Sequence, residues 1–86
     1  LPEKPLREAL IYFRQIADIY EQIGDDYGKN IAIANIGEAY RDLGEYENAL
    51  RTYAEAVALA EKRGDARLRD GILTSICETY FGQKKY

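Results

Sequence analysis

With 86 residues, 47% of them hydrophobic and 31% charged, the chain has the size of one small domain and the make-up of a folded, helix-rich protein, which argues against disorder or a fibrous repeat. The net charge of −3 arises from interspersed acids and bases, without the basic face through which nucleic-acid binders draw affinity from phosphates. Histidine, tryptophan and methionine are absent and Cys77 is the single cysteine, which excludes zinc fingers, disulfide scaffolds and histidine-based triads or switches.

Two prolines, Pro2 and Pro5, stand ahead of the first periodic segment. Leu6, Leu10, Phe13, Ala17 and Tyr20 recur at three- and four-residue intervals, one stripe of a helix predicted over roughly 4–23. Gly24 supplies the left-handed residue that ends it, and Asp25 or Asp26 is placed to cap the next. A second helix over 27–43 carries Ile33, Ile36, Gly37 and Tyr40 and stops near Gly44. The third, 46–63, carries Tyr46, Ala49, Leu50, Tyr53, Ala56 and Val57 up to Gly64-Asp65. The fourth, 66–82, carries Ile72, Leu73, Ile76, Cys77 and Tyr80. No strand-like alternation competes, and the short turns force neighbours antiparallel. The expected fold is therefore all-α, an α-solenoid of stacked helical hairpins.

The chain also repeats itself. Residues 6–46 laid on 46–86, an offset of forty, give nine identities in forty-one pairs, against roughly three by chance at average residue usage. They are Ala9/Ala49, Leu10/Leu50, Glu21/Glu61, Gly24/Gly64, Asp25/Asp65, Ile36/Ile76, Glu38/Glu78, Tyr40/Tyr80 and Tyr46/Tyr86. Phe13/Tyr53, Ile19/Leu59 and Ile33/Leu73 are conservative pairs in the same register.

Ile33-x2-Ile36-Gly37-x2-Tyr40 followed by Ala49-x3-Tyr53, with Gly44-Glu45-Tyr46 between the helices, resembles the tetratricopeptide repeat. The period of forty rather than thirty-four, and the missing proline after the second helix, are similar to the long-helix repeats with Gly-Asp turns of kinesin light chain, polarity adaptors and bacterial signalling proteins. Gly37 and Ala49 are expected where the two helices of a hairpin touch, with Tyr40 and Tyr53 wedged between hairpins. In this register residues 1–25 are the second helix of one repeat, 26–65 a complete repeat, and 66–86 the first helix of the next. The expectation is a fragment of a longer array, excised or processed because it opens on Leu1. Tyr12, Phe13, Ile16, Tyr80 and Phe81 would then leave apolar surface open at its two ends, where homo-oligomers can form.

Candidate chemistry is sparse. Cys77 aligns with Gly37 and reads as a buried, inert thiol without a histidine to activate it. The carboxylate pairs Asp25/Asp26 and Glu45/Glu47 fall in turns and first helical turns, where acids cap and meet the helix dipole. Gly24-Asp25-Asp26-Tyr27-Gly28 lacks the Lys and Ser/Thr of a phosphate loop. No catalytic residue, metal ligand or cofactor is expected, and the chain is not expected to be an enzyme. The resemblance implies instead that the first helix of a repeat lines a concave groove for a peptide or helix of a protein partner. On that helix Ile31, Asn35, Glu38, Arg41 and Asp42 share one stripe, and Thr74, Ser75 and Glu78 match them in the next repeat. Asn35 stands where related arrays hold an amide that bonds a peptide backbone. Lysines and arginines for a carboxylate clamp are lacking apart from Arg41. An ordinary solvated face remains the alternative for this stripe. The expected function is a protein–protein interaction scaffold; the alternative is a structural or regulatory spacer, or a self-association module, within a larger signalling protein. Neither nucleic acid nor membrane is expected as a partner, and the expected location is cytoplasmic, since no apolar run nears the roughly 20 residues that span a bilayer and no signal-peptide pattern opens the chain.

Overall fold

The computed structural model describes residues 3–84 as four α-helices, α1 (Glu3–Ile23), α2 (Asp26–Asp42), α3 (Tyr46–Lys62) and α4 (Ala66–Lys84). The expectations involving Leu1, Pro2, Lys85 and Tyr86 lie outside the described residues. Helix bounds agree with the periodicity to within two residues. Leu43 and Arg63, expected at helix ends, fall just beyond them as C-caps, where their amides still close the last turn onto Ala39 O at 3.0 Å and Leu59 O at 3.1 Å.

One device makes all three turns. Gly24, Gly44 and Gly64 take φ of 78°, 80° and 73°, a left-handed conformation that costs glycine nothing and side chains about 1–2 kcal/mol. Each glycine donates to the carbonyl three residues back, and the acid after it donates to the carbonyl five back, at 2.9 Å in all three turns (Asp25 to Tyr20, Glu45 to Tyr40, Asp65 to Ala60). That is the Schellman pattern, and it leaves the chain reversed and ready to start the next helix. Asp25 and Asp65 then cap that helix, accepting from Gly28 N at 2.9 Å and Leu68 N at 3.0 Å. Glu45, expected to cap, does not. Its longer side chain carries the carboxylate outward, where it accepts from Asn48 Nδ2 at 2.9 Å and pairs with Arg7 of α1.

Each helix packs on the next, and α2 also touches α4, whereas α1 and α3 make no such contact among the described residues. Helices α2 and α4 therefore approach each other on one side of a slab measuring 38 × 27 × 15 Å. The core is Ile33, Ala49, Tyr53, Ala56 and Ile72, flanked by Tyr40, Val57, Leu59, Leu68 and Ile76. Helix α3 lies between two neighbours, and its contact positions Ala49, Ala56 and Ala60 are correspondingly small and fully buried. Gly37 lets the Tyr53 ring lie against the α2 backbone: a Cβ there would stand 2.7 Å from Tyr53 Cε1. The Tyr53 ring lies inside the α2–α3 hairpin and clusters with Ile72 of α4 as well, its hydroxyl near Thr79. Tyr40 is half-buried against the core and lines a shallow hollow with Leu10 and Ile11 of α1.

Two burial expectations are corrected. Cys77 is exposed rather than buried, because α4 packs on α3 through its other side and no described helix covers this one. Phe13 and Ile16 are half-buried against α2 rather than open; the apolar side chains that α1 leaves to solvent are Ile11, Tyr12, Ile19 and Ile23. Tyr80 and Phe81 of α4 are exposed as expected. No described helix is long and apolar enough to cross a membrane.

Candidate ligand-binding groove

The outward stripe of α2 divides into two parts. At its N-terminal end Ile31 and Asn35 join Phe13, Ile16 and Tyr20 of α1 around an apolar cleft of about 320 Å³. Close approach of the helices makes this cleft, since Gly28 faces the Tyr20 ring with no side chain between. The Asn35 amide is half-buried at the cleft and bonds no other described side chain or backbone group. An amide carries two donors and an acceptor, so this position has unspent hydrogen-bonding capacity.

At the C-terminal end the stripe meets α4. Arg41 places one guanidinium nitrogen 3.6 Å from Glu38 Oε1 and another 3.4 Å from Glu78 Oε1. The structure therefore brings Glu38, Arg41 and Glu78 together across the α2–α4 seam. Asp42 lies at the same end, lining a second hollow with Glu3, Leu6, Tyr46 and Gln83. Thr74 and Ser75 contribute less: their hydroxyls turn back onto their own helix, to Asp70 O at 3.1 Å and Gly71 O at 3.4 Å.

Behind the seam stands Tyr53. Its hydroxyl is buried without a hydrogen bond of ordinary geometry among the described residues, beside Thr79, whose own hydroxyl donates to Ser75 O at 2.8 Å and keeps lone pairs turned to no other donor. Burial pushes the phenol above its ordinary pKa.

Asn30 was not legible as a structural residue. It is fully buried, donating through Nδ2 to Ala56 O at 2.9 Å and accepting on Oδ1 from Arg63 Nη1 at 3.2 Å. Arg63 also reaches Asp65 Oδ2 at 3.3 Å and lies 5.1 Å from the centre of the Tyr27 ring. This clamp ties α2 to the α3–α4 turn. The Leu68 amide, helped by Arg63, holds Asp65 below the ordinary carboxylate range. Elsewhere Asn48 and then Arg7 lower Glu45, and Lys29, 2.6 Å away, lowers Glu21. No group of three or more potential metal ligands is gathered among the described residues.

The family model described as tetratricopeptide repeat matches residues 3–62, from the start of α1 to the end of α3. The chain belongs to that family. Comparison with curated proteins gave no match, nor did comparison with solved structures. Tetratricopeptide repeats are typically non-catalytic scaffolds for protein–protein contact, and in this one the Asn35 amide is unspent among the described residues.

Proposed function

We propose that this tetratricopeptide repeat chain binds a short segment of a protein partner along α2, with an apolar side chain in the α1–α2 cleft and its backbone on Asn35. In this reading α2 and α3 form the complete repeat, α1 the second helix of one before it and α4 the first helix of one after it. Ile31 and Asn35 make the anchoring contacts, Glu38, Arg41, Asp42 and Glu78 line the path onward, and Thr74 and Ser75 form its edge. The observation that carries the reading is Asn35: a half-buried amide beside a ready apolar cleft, without a partner among the described residues.

The test is selection of displayed peptides against the chain, followed by calorimetry on Asn35→Ala. Losing one backbone hydrogen bond should weaken the selected peptides about tenfold, or ~1.4 kcal/mol. Thermal stability should move by less than about 0.5 kcal/mol, as at a surface site. Unchanged peptide affinity would sink the reading. Exposed Ile11, Ile19 and Ile23 on α1, with Tyr80 and Phe81 on α4, favour the second reading, self-association. Light scattering over a concentration series, repeated on Ile19→Lys, separates the two: a dimer abolished by the charge supports self-association.

A further inference from the structure

The forty-residue repeat exposes a second surface, remote from the α1–α2 cleft and independent of the groove reading. On α2, Asn30, Ile33 and Gly37 are buried beneath α3. Asn30 bonds Ala56 O and Arg63, Ile33 clusters with Ala49, Tyr53 and Ala56, and Gly37 receives the Tyr53 ring. Their counterparts forty positions on are Asp70, Leu73 and Cys77, one stripe at three- and four-residue spacing, and all three are exposed. The other side of α4, with Leu68 and Ile72, faces the core. Leu73 at 41% and Tyr80 at 57% exposure thus mark an open face whose covered equivalent lies in the same molecule, and what covers that equivalent is a helix, α3.

Two differences between the copies say which helix fits. Cys77 stands where α2 has Gly37. Even a Cβ at Gly37 would stand 2.7 Å from Tyr53 Cε1, so a helix with an aromatic in the Tyr53 position cannot come as near α4 as α3 comes to α2. Glycine or alanine in that position can. Asp70 stands where α2 has Asn30. The amide donates to Ala56 O and accepts from Arg63, whereas a carboxylate only accepts, so the helix must bring a cation. Arg69, 3.1 Å from Asp70, holds it only in an exposed pair of the kind that contributes little. A second copy of this chain does not qualify. The helix that the repeat would lay on α4 is α1, which carries Phe13 in the Tyr53 position and Ile23 in the Arg63 position.

We propose that this face of α4 seats an amphipathic helix of a partner protein in the place that α3 takes on α2. That helix carries glycine or alanine against Cys77 and, ten residues on, as Arg63 follows Tyr53, an arginine or lysine against Asp70.

The probe is a synthetic helix of residues 46–63 of this chain, bridged between positions 54 and 58, which α3 exposes. It is made in three forms: unaltered, Tyr53→Ala, and Tyr53→Ala with Arg63→Glu. Calorimetry on the intact chain reads affinity, and the rate of alkylation of Cys77, its single thiol, by iodoacetamide reads the place of binding. The Tyr53→Ala form should bind about tenfold tighter than the unaltered one and slow alkylation about tenfold at saturation. Adding Arg63→Glu should cost about tenfold in affinity. In the chain, Cys77→Gly should bring the unaltered helix up to the affinity of the Tyr53→Ala form, and Asp70→Lys should reverse the preference for Arg63 over its glutamate replacement. Binding that ignores Cys77→Gly and Asp70→Lys, binding that leaves alkylation unchanged, or no binding by any form would each overturn the proposal. Protection of Cys77 that rises with the concentration of the chain alone would overturn the partner as occupant and place a second copy there.

Discussion

Replacing Gly37 by alanine tests the closest contact in the hairpin. The new methyl would stand 2.7 Å from Cε1 and 2.8 Å from Cδ1 of Tyr53, whereas carbon atoms sit comfortably at about 3.5–4.0 Å. The ring has nowhere to retreat, being 1% exposed and held among Ile33, Ala49, Ala56 and Ile72. Overpacking of this kind costs about 1–3 kcal/mol. Opposing it, alanine favours a helix interior over glycine by about 1 kcal/mol. The net expectation is a loss of about 0–2 kcal/mol, a fall in Tm of up to roughly 15 °C for a chain of this size. Gly71→Ala is the internal control, because it too lies mid-helix but a methyl there meets nothing within 4 Å. It should raise Tm by about 4–8 °C. Thermal and urea unfolding followed by circular dichroism at the helical band reads both. If Gly37→Ala melts above the parent, as Gly71→Ala should, helix propensity outweighs packing and the described approach of Tyr53 to α2 is wrong.

Asn30→Ala removes the bonds to Ala56 O and Arg63 from a buried site, and urea unfolding should show a loss of about 1–3 kcal/mol. Tyr53→Phe deletes a buried hydroxyl that has no partner, so it should be neutral or stabilise by up to about 1 kcal/mol, where buried Tyr→Phe changes that break a bond destabilise. Acid should weaken the fold. Asp65, Glu45 and Glu21 are held below their unfolded pKa values, so their contribution is complete above the ordinary carboxylate range and vanishes as pH falls through the lowered folded values. Urea midpoints should stay flat from pH 7 to about 5 and drop below about 4.

Local chemistry made the fold legible. A left-handed turn requires glycine, and Gly24, Gly44 and Gly64 each mark one, so the helix boundaries were readable to within two residues. The apolar stripes gave the packing faces for the same reason, since one helical face must be buried. Burial at the outer helices was not legible. The position that is buried glycine in α2 is exposed Cys77 in α4, because exposure depends on which neighbour covers a helix and the repeat pattern is silent on that. Glu45 misled for a finer reason: one methylene separates glutamate from aspartate, and it moves the carboxylate from the helix amides to Asn48 and Arg7.

The proposed groove depends on the same distinction between groups that the fold consumes and groups that it leaves over. Asn30 and Asn35 lie on one helix, five residues apart and alike in composition, yet Asn30 spends its amide on Ala56 and Arg63 whereas Asn35 spends none on the described chain. The arginines divide differently. Arg63 is fixed by Asn30, Asp65 and Tyr27, and Arg41 by Glu38 and Glu78, so neither is free to recruit an anion. One guanidinium, Arg41, stands against three carboxylates, Glu38, Asp42 and Glu78, so this end of the stripe is acidic however the ion pairs are shared. In the proposed site, therefore, the group that the fold leaves wholly unspent is the Asn35 amide, and the Asn35→Ala calorimetry reads its worth directly.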